Sequence, residues 1–402
     1  MSKNNENKLV PKLRFPKYSK DGEWEKKTLD EVGSVIASGD LDEKTFSPIK
    51  TETHIYPIYS NSVSQEGIYG YSSTFKYKSE SVTITARGTL GVAFERKTNF
   101  VGIGRLLVVS DLKDTHPNFL KENWNHQAKI PLENGGIPQL TAVKAKSISL
   151  FFPKKNEQQK IAACLSSLDE VITDESQKLE VLKEHKKGLL QNLFPQEGET
   201  MPKLRFKEFE NSGEWRSEGV GNLFKFKQGV QVPVENQFAN QIEGMVRFIR
   251  IIDITNNSEP YRYIESPSSE HLIETNDLFM IRYGTPGLIS IGYEGVIANN
   301  LFRLIWKYDE LFVPRFWLYA FQKIEKLIYE LSSSSSMPAI SFSTMEGVSL
   351  LFPKNPSEQQ KIADTLLSSD DLINAQIQKL EALQLHKKGL LQGLFPSINN
   401  EE

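Results

Sequence analysis

EQQKIAACLSSLDEVITDESQKLEVLKEHKKGLLQNLFP, residues 157–195, returns at 358–396 with 25 of its 39 positions unchanged. Within the first copy the apolar steps alternate four and three: Ile161, Leu165, Leu168, Ile172, then Leu179, Leu182, Leu189 and Leu193. The second copy repeats them at Ile362, Leu366, Ile373, Leu380, Leu383, Leu390 and Leu394. That is the a/d stripe of a heptad helix. Two seam positions are polar in both copies, Glu175 with Gln376 and Lys186 with Lys387. Asn156 before Gln159, and Ser357 before Gln360, predict capping boxes at the helix starts. Pro153 and Pro356 keep the preceding chain extended, and Pro195 and Pro396 close the arms. Gly188 and Gly389 each cost a helix interior about 1 kcal/mol, which suggests a close backbone approach or a local end to the helix.

An apolar stripe is buried either against its own globule or against a second stripe. Two matched stripes in one chain favour mutual pairing, and charge favours the antiparallel sense. Unshifted parallel helices would set Lys186 against Lys387. An antiparallel register can instead bring Leu179 to Leu383, Leu182 to Leu380, Ile172 to Leu390 and Leu189 to Ile373. Glu175 then faces Lys387, and Lys186 faces Gln376. At ~1.5 Å per residue such arms would be roughly 55 Å long. Two related domains at a fixed separation is the arrangement that reads two DNA half-sites ~34 Å apart.

Upstream of each arm stands another repeat. PKLRF at Pro11–Phe15 returns at Pro202–Phe206, each followed by G-E-W, Gly22–Trp24 and Gly213–Trp215. The heads are offset by 191 residues and the arms by 201, so the intervening segments differ in length as well as sequence. The chain reads constant–variable–constant, twice. The expected fold is an α/β (α+β) tandem duplication: two globular domains separated by two long helices forming an antiparallel coiled coil, with pseudo-two-fold symmetry. The expected boundaries are 1–152 and 202–352 for the globular parts, and 153–201 and 353–402 for the arms.

Despite their divergence the variable segments share devices. Ser81–Ala86 alternates with period two, as a half-buried strand does, and Arg87–Gly91 turns into a return strand at Val92–Phe94. Asp277–Arg282, Tyr283–Gly287 and Leu288–Ile291 repeat the scheme. Ile137-Pro138-Gln139-Leu140-Thr141 is matched by Met337-Pro338-Ala339-Ile340-Ser341. An apolar strand (Ser147–Phe152, Val348–Phe352) then leads into each arm. The run Ser332–Ser336 reads as a loop, or as a segment that orders on a partner.

With 39% hydrophobic and 25% charged residues the composition is that of an ordinary globular protein. A single cysteine, Cys164, excludes a disulfide framework or thiolate metal site within the chain. The polar N-terminus and the lack of a long apolar run predict a cytoplasmic protein with no membrane association. A net charge of −3 requires any DNA-binding surface to be a local patch or to be shared with partner subunits. Residues 28–150 carry 13 basic and 13 acidic groups, and 216–349 carry 12 and 15. There is no phosphate loop, since Gly284–Gly287 lacks the lysine, and Asn299-Asn300-Leu301-Phe302 is not the Asn-Pro-Pro-aromatic motif of an amino-methyltransferase. Six scattered histidines, with His185 and His386 on the arms, assemble no metal site or triad. Catalysis by this chain alone is not expected.

Two variable domains, each ending in L-F-F-P or L-L-F-P and followed by E-Q-Q-K-I-A and a long helix, resemble the specificity (S) subunit of type I restriction–modification systems. The resemblance implies target recognition domains that each read one half of a bipartite, asymmetric double-stranded DNA site. It implies two methyltransferase (M) subunits docked on the helices and restriction/translocase (R) subunits joining them. S-adenosylmethionine, ATP and Mg²⁺ would be used on those other subunits, and this chain would bind none of them. Base reading calls for Arg, Lys, Asn and Gln on loops held by a rigid sheet. The candidates are Asn61, Ser62 and Arg87 in the first domain, and Arg250, Arg282, Tyr283, Asn299 and Asn300 in the second. For the arginines beside glycine turns and for the asparagines, a purely structural role is the competing reading. A non-enzymatic protein-interaction scaffold and a modification-only methyltransferase subunit are the alternative functions.

Overall fold

The computed structural model of the protein describes residues 9–130, 138–256, 258–308, 312–332 and 338–396. Ile137 and Met337 of the closing motifs, and Ser333–Ser336 of the serine run, lie outside the described residues. The chain resolves into two compact units, Met1–Ser176 with Gln378–Glu402, and Gln177–Ile377. Each unit holds one head repeat, one variable segment, the first part of one arm and the last part of the other. Among the described residues no helix is long and apolar enough to cross a membrane.

In the first unit Ser34–Ala37, Leu107–Ser110, Ser81–Ile84 and Ala93–Arg96 form an antiparallel sheet in that order. The predicted strand Ser81–Ala86 is therefore real, but Ser81–Ile84 is buried on both faces rather than one. Its polar alternates are absorbed internally, since the Thr83 hydroxyl accepts from Arg96 Nε at 2.9 Å. A second sheet sets Tyr56–Tyr59 parallel to Val101–Gly102 and antiparallel to Ile68–Ser72. The second unit repeats both sheets. Phe224–Gln228, Leu301–Trp306, Leu278–Ile281 and Ile289–Ser290 form one, and Met245–Ile249 lies parallel to Gly295–Ile297 in the other. The smaller sheets differ at an edge. Phe46–Ser47 adds beside Ile68–Ser72 in the first unit, whereas Leu272–Ile273 adds beside Gly295–Ile297 in the second.

Each strand leading into an arm pairs with the strand after a head repeat: Ser149–Phe152 with Glu25–Thr28, and Ser349–Phe352 with Arg216–Gly219. The repeated motifs close the same joint in both units. Arg14 of PKLRF forms a bidentate pair with Glu157 of EQQKIA, at 2.8 and 2.7 Å. Arg205 binds Glu358 likewise, at 2.8 and 2.9 Å. Gln158 and Gln359 donate to the carbonyls of Pro153 and Pro353. In the first unit the Trp24 and Phe119 rings meet Phe395, from the end of the second arm. In the second, Trp215 and Phe316 meet Phe194, from the end of the first arm. G-E-W and L-F-P thus recur because they are two sides of one aromatic contact.

The arms are continuous helices, Lys155–Leu193 and Pro356–Leu394. They begin slightly earlier than the capping-box reading predicted. Lys154 carbonyl accepts from Glu157 and Gln158, and the Asn355 side chain, not Ser357, caps by accepting from Ser357 N–H at 3.0 Å. Gly188 and Gly389 neither end the helix nor admit a close neighbour, for nothing lies within 4 Å of a Cβ built on either. His185 and His386 are exposed on the helix surface.

Within each unit the two arm segments run antiparallel, with Ile172, Leu179, Leu182, Leu189, Ile373, Leu383 and Leu390 half-buried and Leu380 buried. The register, however, is displaced by about one heptad from the predicted one. Glu175 pairs with Lys379 rather than Lys387. Lys387 pairs with Asp169 at 2.6 Å and lies 3.4 Å from Glu122. Lys186 pairs with Asp370 at 2.5 Å rather than facing Gln376. The apolar clusters agree: Ile161 and Leu165 are buried with Leu394, and Leu193 with Ile362 and Leu366.

Candidate nucleic-acid interface

Hydrogen bonds that tie loops to sheets allow the two globules to be matched residue by residue. Leu106 N–H returns to Ile103 carbonyl, as Leu301 does to Ala298. Leu140 N–H binds Ala86 carbonyl, as Ile340 binds Arg282. Ile103 N–H binds Tyr59 carbonyl, as Ala298 binds Ile249. By this matching Arg87 corresponds to Tyr283, Gly104 to Asn299 and Arg105 to Asn300.

In the first unit the loops after four strands converge. Asn61 spans two of them, its Nδ2 donating to Gly104 carbonyl at 2.6 Å and its Oδ1 accepting from Ala86 N–H at 2.7 Å. Gly104 N–H in turn donates to Gly39 carbonyl at 2.9 Å. The Asn61 amide is thus spent on structure. Ser62 is exposed beside it and accepts from Ser64 N–H. Arg87 and Arg105 follow Ala86 and Gly104 directly, at the two ends of the Asn61 bracket. Both are exposed, and neither makes a hydrogen bond or ion pair among the described residues. The Lys76 amine stands near the same loops, 3.7 Å from a Cβ built on Gly39. Arg87, Arg105 and Lys76 thus stand on or near these loops, with the exposed Asp40 directly after Gly39.

A buried cation supports the neighbouring loop. Arg96 is 1% exposed; its Nη2 donates to Glu66 carbonyl at 2.8 Å and its guanidinium lies 3.5 Å from the Tyr59 ring centroid. Desolvation pushes this guanidinium below its ordinary pKa, partly offset by Tyr59 and Glu66. The loop it holds carries Gln65 and Glu66 at φ of 48° and 53°, left-handed conformations uncommon without glycine.

The second unit fills the same frame differently. Gln228 replaces Asn61 as the bracket, accepting from Arg282 Nη1 and donating to Asn299 carbonyl. Arg282 also donates to Ile340 carbonyl at 3.2 Å and lies against the Phe342 ring, so it braces the glycine turn. Arg250 is likewise occupied, paired with Asp253 at 3.0 Å and Glu259 at 2.8 Å. Its pKa is raised, first by the hydrogen bond to Asp253. Tyr283 is half-buried, Asn299 exposed, and the Asn300 Oδ1 is buried without a hydrogen-bond partner. Of the eight residues singled out from sequence, Asn61, Arg250 and Arg282 hold loops in place. Ser62, Arg87, Tyr283 and Asn299 stand at the tips, and Asn300, half-buried, follows Asn299 in the same turn. Nothing in the local sequence marks Arg105 or Gln228 as part of this frame. Among the described residues no group of three or more His, Cys, Asp or Glu is placed to hold a metal.

The sequence profile of the type I restriction modification DNA specificity domain matches residues 21–184 and again 212–382. The chain belongs to that family. A Mycoplasma pneumoniae protein named as a type I specificity subunit is 31% identical over 156 residues, covering 39% of this chain and 43% of that protein. The chain thus spans less than half the length of that relative. A Methanocaldococcus jannaschii protein named as the specificity subunit of a type I restriction enzyme is 26% identical over 331 residues, 75% of this chain and 73% of its own. The crystal structure of a type I restriction–modification S subunit from M. genitalium superposes with a TM-score of 0.67 at 16% identity, covering 97% of this chain and all of that one. That likeness shows a shared fold.

Proposed function

We propose that this type I specificity-family chain is the DNA sequence-recognition subunit of a restriction–modification complex, each unit reading one half of a bipartite, asymmetric duplex site. The observation that carries the reading is one loop frame, pinned by the same backbone hydrogen bonds in both units, with different side chains at its tips. Arg87 and Arg105 stand in one where Tyr283 and Asn300 stand in the other. A frame held constant while its tips vary is what two base sequences read by one fold require.

In this reading the chain is non-catalytic and cytoplasmic. Two methyltransferase subunits dock on its helices, and restriction/translocase subunits join for cleavage. S-adenosylmethionine, ATP and Mg²⁺ act on those partners. With a net charge of −3, the partners also supply much of the phosphate neutralisation. The test is co-expression with the methyltransferase subunits of its own system, followed by mapping of methyladenine across the host genome. A new gapped, asymmetric motif is the expected result. An assembled, active complex that adds no such motif would overturn the proposal.

A further inference from the structure

Arg105 occupies a backbone position that side chains avoid. It follows Gly104 in the tight turn closed by the Leu106–Ile103 hydrogen bond, and both central residues have positive φ, 67° and 70°. Turns of this kind favour Asn, Asp or Gly at both places, because a Cβ crowds the following carbonyl. The matched turn of the second unit, at Asn299 and Asn300, is built without positive φ. Nothing in the fold demands arginine here. Gly102, Ile103, Leu106 and Leu107 are buried on either side, and Asn61 and Gly39 fix the Gly104 peptide. Among the described residues the side chain is exposed and without a partner, at the far end of the bracket from the equally unpaired Arg87. An unfavourable residue on a rigid backbone, with its whole donor fork unspent, is an outlier that points to function.

We infer that Arg105 is a specificity-determining residue that reads a guanine in the half-site recognised by the first unit. The inference rests on the DNA-recognition reading above. The chemistry is that of the planar guanidinium, whose paired donors match O6 and N7 of guanine in the major groove and no other base edge equally well. The second unit, with Asn300 at the matched position, lacks this contact.

Glycine is the discriminating substitution, because it accepts the turn better than arginine while removing the fork. Wild-type, Arg105→Gly and Arg105→Lys chains are each assembled with methyltransferase subunits, and thermal stability, methylated motif and binding to single-mismatch duplexes are measured. Arg105→Gly is expected to melt no lower than wild type. One guanine in one half of the motif should relax to two or more bases, with discrimination there falling about tenfold or more, and the other half should stay unchanged. Arg105→Lys keeps the charge but loses the bidentate geometry, and should relax the same position.

A motif unchanged base for base in both variants would overturn the inference. So would affinity falling equally on all sequences with the motif retained, the mark of a phosphate contact. A wild-type complex that yields no gapped motif would instead defeat the underlying reading, and with it this one. The wild-type arm therefore separates the two failures.

Discussion

Arg14 and Glu157 are joined across 143 positions of sequence, and their side chains are 7% and 1% exposed. Two charges taken that far from water are held by their paired hydrogen bonds, so losing one partner strands the other. Glu157→Ala, or Glu358→Ala in the second unit, is expected to destabilise its unit by about 3–5 kcal/mol in chemical denaturation. A loss under about 1 kcal/mol would mean that water replaces the partner. Tyr319 offers a residue-scale test by pH. Burial, and then Asp370, which accepts from its hydroxyl at 2.7 Å, push its pKa up. A raised pKa favours the protonated fold, so this stabilisation is complete below the ordinary tyrosine value near ~10 and declines as pH rises beyond it. Tyr319→Phe should flatten the alkaline limb of a stability–pH curve, and an unchanged limb would contradict the assignment.

The two arms show what a period can and cannot settle. Their helical identity, length and antiparallel sense were legible in the heptad stripe and in the two seam lysines. Their register was not, because sliding one helix by a heptad returns every a and d position to an equivalent partner. The choice falls to charges beside the seam. Asp169 and Asp370 draw in Lys387 and Lys186, and Lys379 meets Glu175. Zero-length carbodiimide coupling followed by peptide mapping should link 175 to 379 and 186 to 370. A 175–387 link would restore the displaced register. The loop frame was harder still to read. Asn61, Gln228 and Arg282 do their bracing through residues far away in sequence, which no local pattern encodes. Arg105 was hidden because Gly-Arg is not a sequence in which a left-handed turn is looked for.

At the scale of the molecule the chain order is cyclic in its packing. Leu13 N–H donates to Gly393 carbonyl at 2.8 Å, and Gln127 Nε2 donates to Pro396 carbonyl at 2.7 Å. The last turns of the second arm therefore belong to the first unit. Removing residues 384–402 is expected to expose the first unit to protease while Gln177–Ile377 stays protected. Uniform digestion of both would show that the units do not fold separately.

One consequence follows from the joints being duplicated. Asp169–Lys387 and Asp370–Lys186 are the same pairing made by matched positions, as are Arg14–Glu157 and Arg205–Glu358. A single head, globule and arm accordingly carries both members of every joint. The arginine–glutamate pair closes within that single copy, but its aspartate and lysine sit on one continuous helix and can pair only with those of another copy. The fragment 202–402 should then weigh twice its sequence mass by light scattering, and a Lys387→Glu change should shift it toward the single mass. Seen so, the full chain is a dimer whose two subunits happen to share one polypeptide.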